Sequence, residues 1–292
     1  MIGALPPTLM IRCLLADLLA GVIADLTPVL GARVERVLIY LLLLRRTLDG
    51  ARPTPVLGVG ETLAMPFETA RRHVAALAAA GRCRRVAGGM IVAGRPLDDP
   101  TLGPRLARVH DRTVALVERL AAAALLPVLT AVPGAYDWTV GLAIAVDLTL
   151  AIAAAEQWRC AKPVDRVLLA ALLAGNAAAI TADPALFRRA APPHQLTPGW
   201  RPVRGRLVAE ALHLPEATVR RRFVNLGAAV EVTADGLALR PDWLTDAAGE
   251  AVGAALNGAL RRHLAQLARH RFPLDAAATA YRRGTPASLN FG

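Results

Sequence analysis

The chain has 292 residues, 54% of them hydrophobic, which excludes a disordered tail and leaves room for two domains of ordinary size with a substantial core. Its formal net charge is +11, and of its 34 basic residues only Lys162 is a lysine, so an anionic partner is expected, nucleic acid before membrane surface. The three cysteines, Cys13, Cys83 and Cys160, have neither disulfide-framework nor zinc-site spacing and suit a reducing cytosol.

The opening run MIGALPPTLMIRCLLADLLAGVIADL differs from a signal peptide, because Pro6 and Pro7 stand where basic residues belong and Asp17 interrupts the apolar stretch. It predicts a leading helix over about residues 8–25, followed by a second helix over 34–46 and a short helical pattern over 55–63. Pro66 suits the first turn of a further helix, where its missing N–H costs nothing. Ala70, Val74 and Leu77 recur there at helical spacing as a buried stripe. Phe67, Glu68, Thr69, Arg71, Arg72 and Ala75 then fall on or beside the outer face, near the helix N-terminus. Two β-like runs, RCRRV and MIVAG, joined around Gly88-Gly89, predict a hairpin. A trailing helix over about 102–126 stops at Pro127.

The apolar run that starts at Trp138 is close to the ~20 residues a membrane span needs. Asp147 near its middle would cost an inserted helix about 2.5 to 3.5 kcal/mol, so a buried helix is expected and stable membrane insertion is not. A second helix over 164–180 and a proline-rich, loop-like segment, ADPALFRRAAPPHQLTPGW, come next. LPEATVRRRFVNLGAAVEVTADGLAL then places Val219, Phe223 and Leu226 on a stripe and joins AVEVT to LALR around Asp235-Gly236. The last long helix is expected over about 243–271, ending at Pro273.

These elements repeat. Shifted by 130 residues, VERVLIYLLLL from Val34 falls on VDRVLLAALLA from Val164, with six of eleven positions identical. Shifted by 149, Arg52 to Leu77 falls on Arg201 to Leu226 with ten identities in 26 positions, among them Pro66 with Pro215, Thr69 with Thr218 and Arg71-Arg72 with Arg220-Arg221. The 19-residue difference between the shifts is assigned to the proline-rich segment. Residues 1–131 and 132–292 are thus expected to be two copies of one unit. The fold expected is mainly α with small β-hairpins, the long flanking helices forming a pseudo-twofold core.

Helix, tight turn, helix and hairpin in this order resemble the DNA-binding portion of bacterial winged helix-turn-helix regulators of the MarR, IclR and GntR kind. The first copy, ETLAMPFETARRHVAALAAAGRCRRVAGGMIV, follows their pattern of a small residue, Thr, Arg-Arg, a spaced Leu and Gly, then a wing. The second copy departs from it where Val230 aligns with Gly81 and where the wing is short and acidic. The resemblance implies two winged helices, at about 34–95 and 164–240, in a sequence-specific regulator of transcription that binds double-stranded DNA. By position it implies that Thr69, Arg71, Arg72, Thr218, Arg220 and Arg221 meet phosphates or bases. His73, aligned with Arg222, is expected on a polar surface that reaches the DNA backbone.

The two wings differ in charge. Arg82, Arg84 and Arg85 make the first one basic, whereas Glu231 and Asp235 leave the second without a basic residue before Arg240. Phe67 aligns with Glu216; a ring can meet a thymine methyl, and a carboxylate a cytosine amino group. Non-identical half-sites follow. Asp17 and Asp147 are expected as buried carboxylates meeting arginines such as Arg36 and Arg166. Cys83 lies between arginines that would lower its pKa, although a lone strand cysteine is ordinarily inert.

An enzyme is disfavoured: Ser288 is the only serine, Lys162 is not in a phosphate-binding loop, and GVGETL lacks the third glycine and preceding strand of a dinucleotide site. No cofactor and no metal are expected, and nothing identifies a small-molecule effector. The expected location is cytoplasmic, on the nucleoid, with a homodimer through the flanking helices as a further possibility. Two other functions fit the same pattern: a plasmid or phage replication initiator with tandem winged helices, and a winged-helix adaptor between proteins.

Overall fold

The computed structural model describes residues 7–50, 52–129, 132, 134–183 and 199–291. The protein is mainly helical and carries two small antiparallel hairpins. Most of the proline-rich segment singled out above lies outside the described residues.

The first half opens with α1 (Pro7–Leu30), apolar on all sides and buried along most of its length. It runs past the expected end at residue 25 and takes in Pro28 in its last turn, where Thr27 Oγ1 donates to Ile23 O at 2.6 Å. Gly31, at φ 88°, turns the chain. There follow α2 (Val34–Leu48), α3 (Val56–Leu63), α4 (Phe67–Ala79), β1 (Cys83–Val86), β2 (Gly89–Val92) and α5 (Gly103–Ala122). The second half comprises α6 (Trp138–Ala155), α7 (Pro163–Asn176), α8 (Ala178–Ala182), α9 (Gly205–Ala211), α10 (Glu216–Asn225), β3 (Val230–Thr233), β4 (Gly236–Leu239), α11 (Pro241–Thr245) and α12 (Ala247–Arg269). A 3-10 turn, Leu274–Ala280, leads into the C-terminal tail.

Local geometry recurs at matched positions. Ala64 and His213, 149 residues apart, both adopt left-handed conformations, at φ 51° and 53°. Behind them the helix ends close alike: Met65 N donates to Gly60 O, and Leu214 N to Ala209 O, each at 2.9 Å. In the hairpins the matching shift becomes 147: Cys83 pairs with Val92 and Val230 with Leu239, while Thr54 bridges Met90 and Val203 bridges Leu237. The alignment of Val230 with Gly81 is therefore corrected. Arg82 N donates to Leu77 O, but Ala229 N to Leu226 O, so the second connection is two residues shorter and Val230 matches Cys83. The shift of 147 persists to the long-helix ends, where Ala124 and Arg271 are both left-handed.

One continuous hydrophobic core joins the two halves. Each leading helix packs on both trailing helices: α1 on α5 and α12, α6 on α12 and α5. Each also packs on the second helix of the opposite half, α1 on α7 and α6 on α2, and α2 itself touches α7. Helix α6 is long and apolar enough to cross a membrane, and half of it is buried against its neighbours.

The carboxylates within the leading helices find partners other than those expected. Asp17 pairs with Arg119 of α5, and Asp147 accepts from Arg45 Nε of α2 at 2.8 Å; both acids keep partial exposure. Arg166 instead donates to the carbonyls of Cys160 at 2.9 Å and Ala161 at 3.0 Å, and it reaches Leu63 O of the first half at 3.4 Å.

Candidate nucleic-acid interface

The stripe on α4 is buried as expected, with Ala70, Val74 and Leu77 in the core, and Val219 and Phe223 of α10 match it. This leaves Phe67, Glu68, Arg71 and Arg72 exposed on α4, and Glu216, Arg220 and Arg221 exposed on α10. Thr69 and Thr218 are half-buried at the stripe's edge. Pro66 and Pro215 stand just before their helices rather than inside them, with extended ψ of 138° and 125°, so the chain turns into each helix at the same angle.

Two of the expected contact residues face inward. His73 is only 6% exposed, because position 73 lies three residues after Ala70 and four before Leu77, on the buried row. Burial holds its imidazole below the usual histidine range, opposed by the nearby Glu35 carboxylate at the start of α2. Arg222, the matching residue, points at Asp165 of α7 with 3.6 Å between Nε and Oδ1. Glu35 and Asp165 are 130 residues apart, so α4 and α10 are each backed by an acid on the first turn of the supporting helix. His73 and Arg222 are thereby corrected from DNA-facing to supporting positions.

Arg82 is corrected too. It precedes β1, is mostly covered, and donates from Nη1 to Asp99 Oδ2 at 2.9 Å, which fastens the hairpin base to the following loop. Its counterpart is the buried Ala229. Arg84 and Arg85 are exposed on β1, and no ion pair joins them to any described residue.

On α4, Arg71 Nε donates to Glu68 Oε2 at 2.9 Å. This contact lowers the Glu68 pKa and raises that of Arg71, while Arg72 makes no ion pair among the described residues. Cys83 is buried, its thiol pushed up to about 11 by desolvation and its Sγ 3.7 Å from Val74 O. At neutral pH it is a thiol, which removes the basis for a redox-sensing thiolate there.

The hairpins are seated on the supporting helices by one device. Val92 N donates to Thr47 Oγ1 of α2 at 3.3 Å, and Leu239 N to Asn176 Oδ1 of α7 at 2.9 Å. Asn176 Nδ2 also donates to Arg201 O at 2.7 Å and Leu237 O at 3.1 Å. The bridging strand, hairpin and helix are locked together around this one buried amide.

Three residues outside the expected set complete the second surface. Arg204 and Arg206, flanking the start of α9, are exposed and border a groove of about 390 Å³ with Glu216, Arg220, Val224 and Val232. Arg201 is exposed just before them. Their matches in the first half are Pro55, Leu57 and Arg52, so only the last position was flagged as basic by the repeat itself. Among the described residues no group of three His, Cys, Asp or Glu side chains is placed to hold a metal ion. No protein-family model matches the chain, and no curated protein or solved structure is significantly similar to it.

Proposed function

We propose that the chain is a tandem pair of winged helix-turn-helix heads that binds double-stranded DNA sequence-specifically and regulates transcription. The observation that carries this reading is the matched presentation of Arg71-Arg72 and Arg220-Arg221. Both pairs are exposed on the helix that follows a left-handed tight turn and precedes an antiparallel hairpin. A helix so presented, with basic groups near its N-terminus, fits the major groove, and the hairpin lies where it can reach the flanking backbone. The net charge of +11 supports an anionic partner.

The shared core gives the pair its geometry. Dimeric regulators set two contact helices about one helical turn of DNA apart. In this chain the exchanged packing of α1 on α7 and α6 on α2 ties the supports of both heads together within one polypeptide. Because Phe67 and Glu216 differ, and Arg84-Arg85 match Glu231-Val232, the two half-sites differ in sequence.

Selection of binding sites from random duplex DNA tests the proposal. The expected result is one asymmetric site whose affinity falls by about 10³ to 10⁵ between 50 and 200 mM salt if six to ten phosphates are neutralised. Arg71→Ala with Arg72→Ala should abolish selection of one half. A flat salt dependence, or full binding by the variant with all four of these arginines replaced, refutes it.

A further inference from the structure

We infer that the two heads hold the DNA backbone by opposite edges: the first by its hairpin, the second by a phosphate site of Arg204, Arg206 and Arg220 at the start of α9. The inference rests on the DNA-binding reading above and assigns the backbone contacts within it.

The observation is a reversal of polarity at matching positions of the two halves. In the first head the side next to α3 is apolar, with Leu57 56% exposed and Phe67 50% exposed. Its hairpin side is basic, with Arg84 and Arg85 exposed on β1. In the second head the matching positions next to α9 carry Arg206 and Glu216, with Arg204 beside them. The hairpin side is apolar or acidic: Val232 replaces Arg85 and is 79% exposed, Val224 replaces Ala75 and is 76% exposed, and Asp235 sits at the tip. Positive charge has moved across the groove.

A phosphate cannot settle against Asp235 at the hairpin tip without repulsion, and valines offer it no donor. The opposite wall carries three guanidinium groups, Arg204, Arg206 and Arg220, against the single carboxylate of Glu216. Arg204 and Arg220 have no carboxylate partner among the described residues, and Arg206 shares Glu210 at 2.5 Å in an exposed pair worth little. Guanidinium forks are suited to phosphate oxygens. Once the backbone lies on that wall, Val224 and Val232 face deoxyribose and base methyl groups, for which apolar side chains are the fitting contact. In the first head the arrangement inverts, with Arg84 and Arg85 on phosphate and Leu57 and Phe67 on the apolar edges.

The test uses the full chain and the duplex it selects, with affinity measured from 50 to 200 mM salt. Arg204→Ala with Arg206→Ala is expected to remove about two phosphate contacts, so that the fourfold rise in salt weakens binding about tenfold less than in the wild type. Arg84→Ala with Arg85→Ala should do the same. Phosphate-ethylation interference should lose its signal in opposite half-sites for the two variants. Arg204→Lys with Arg206→Lys should restore most of the salt slope, and unchanged melting temperatures show that the fold is intact. If the Arg204/Arg206 variant keeps the wild-type slope and footprint while the Arg84/Arg85 variant loses both, the inference is overturned and the DNA-binding reading stands. If the wild type selects no duplex, both fail.

Discussion

Asp111 is the residue whose removal should reach furthest through the molecule. It is fully buried on α5, and its carboxylate accepts the backbone N–H of Arg282 at 2.8 Å and of Arg283 at 2.6 Å. His110 Nδ1 lies 3.0 Å from the same carboxylate, and the Tyr136 hydroxyl is 2.8 Å from Nε2. One acid therefore ties the C-terminal tail and the segment before α6 to α5. The tail then carries Phe291, also buried, to α7 beside Gly175. Hydrogen bonds to a charged acceptor contribute about 1.5 to 3 kcal/mol each, and a buried donor left alone costs about 1 to 3 kcal/mol. Asp111→Ala leaves two main-chain donors and one imidazole without their acceptor. The cheaper escape is for the tail to peel away, which forfeits the burial of Phe291, about 1.5 to 3 kcal/mol, and the Tyr281–Glu118 contact. A loss of about 3 kcal/mol or more is expected on either route, and Asp111→Asn, which keeps one acceptor, should lose less. Urea melts give the free energy; trypsin digestion followed by mass measurement should show faster cleavage after Arg282 and Arg283. A variant within about 0.5 kcal/mol of the wild type, with unchanged cleavage, would refute the reasoning.

Gly236→Ala should unseat the second hairpin: the glycine sits at φ 149°, and an added Cβ would lie 2.7 Å from Val203 O, so a loss of about 2 kcal/mol is expected in a thermal melt. The lowered pKa of His73 gives a pH dependence of fixed sign. Its imidazole is held neutral by burial, so the unfolded chain binds the proton more readily; stability is complete above the unfolded value and falls as pH drops through it towards the folded one. His73→Gln should flatten the stability measured between pH 7 and pH 5, and an unchanged slope would count against that assignment. Inserting five base pairs between the selected half-sites turns one of them by about half a helical turn. Because the supports of both heads share one core, that insertion should cost affinity as much as deleting a half-site; an unaffected constant would show that the heads move independently.

The repeated helices and turns were legible because each requirement leaves a residue type behind. A buried stripe needs apolar residues at helical spacing, and the turn into each contact helix keeps Pro66 or Pro215 three residues before Thr69 or Thr218. The hairpins retain less: at the shift of 147 that relates them, only Ala87 with Ala234 and Gly89 with Gly236 agree in ten positions, so the two-residue shortening before β3 could not be located. Strand pairing needs alternation and a turn, which many sequences satisfy. The spacing of His73 from Ala70 and Leu77 already puts it on the buried row, but its alignment with Arg222 points to a surface, and the packing of α2, with Glu35 nearby, decides for burial. The partners of Asp17 and Asp147 were misassigned for a related reason: they lie on helices brought close by packing, across more than a hundred residues, and periodicity carries no information about them. The repeat does not mark Arg204 and Arg206, because Pro55 and Leu57 stand at the matching positions of the first copy.

The exchanged packing bears on why the two halves can diverge in surface while their frames stay alike. Each hairpin is bonded to its own supporting helix, through Thr47 or Asn176, and each supporting helix is buried against a leading helix of the opposite half. A change on an exposed face, such as Phe67 to Glu216 or Arg85 to Val232, touches none of these contacts and is close to free in stability. A change in α2 or α7 would alter the support of one head and the packing of the other half together. Arg166 makes that coupling concrete: it belongs to α7 of the second half, yet one of its guanidinium nitrogens lies 3.4 Å from Leu63 O, at the end of α3 in the first head. The constraint therefore falls on the core, and the freedom falls on the groove between contact helix and hairpin, which is where the two copies differ in charge.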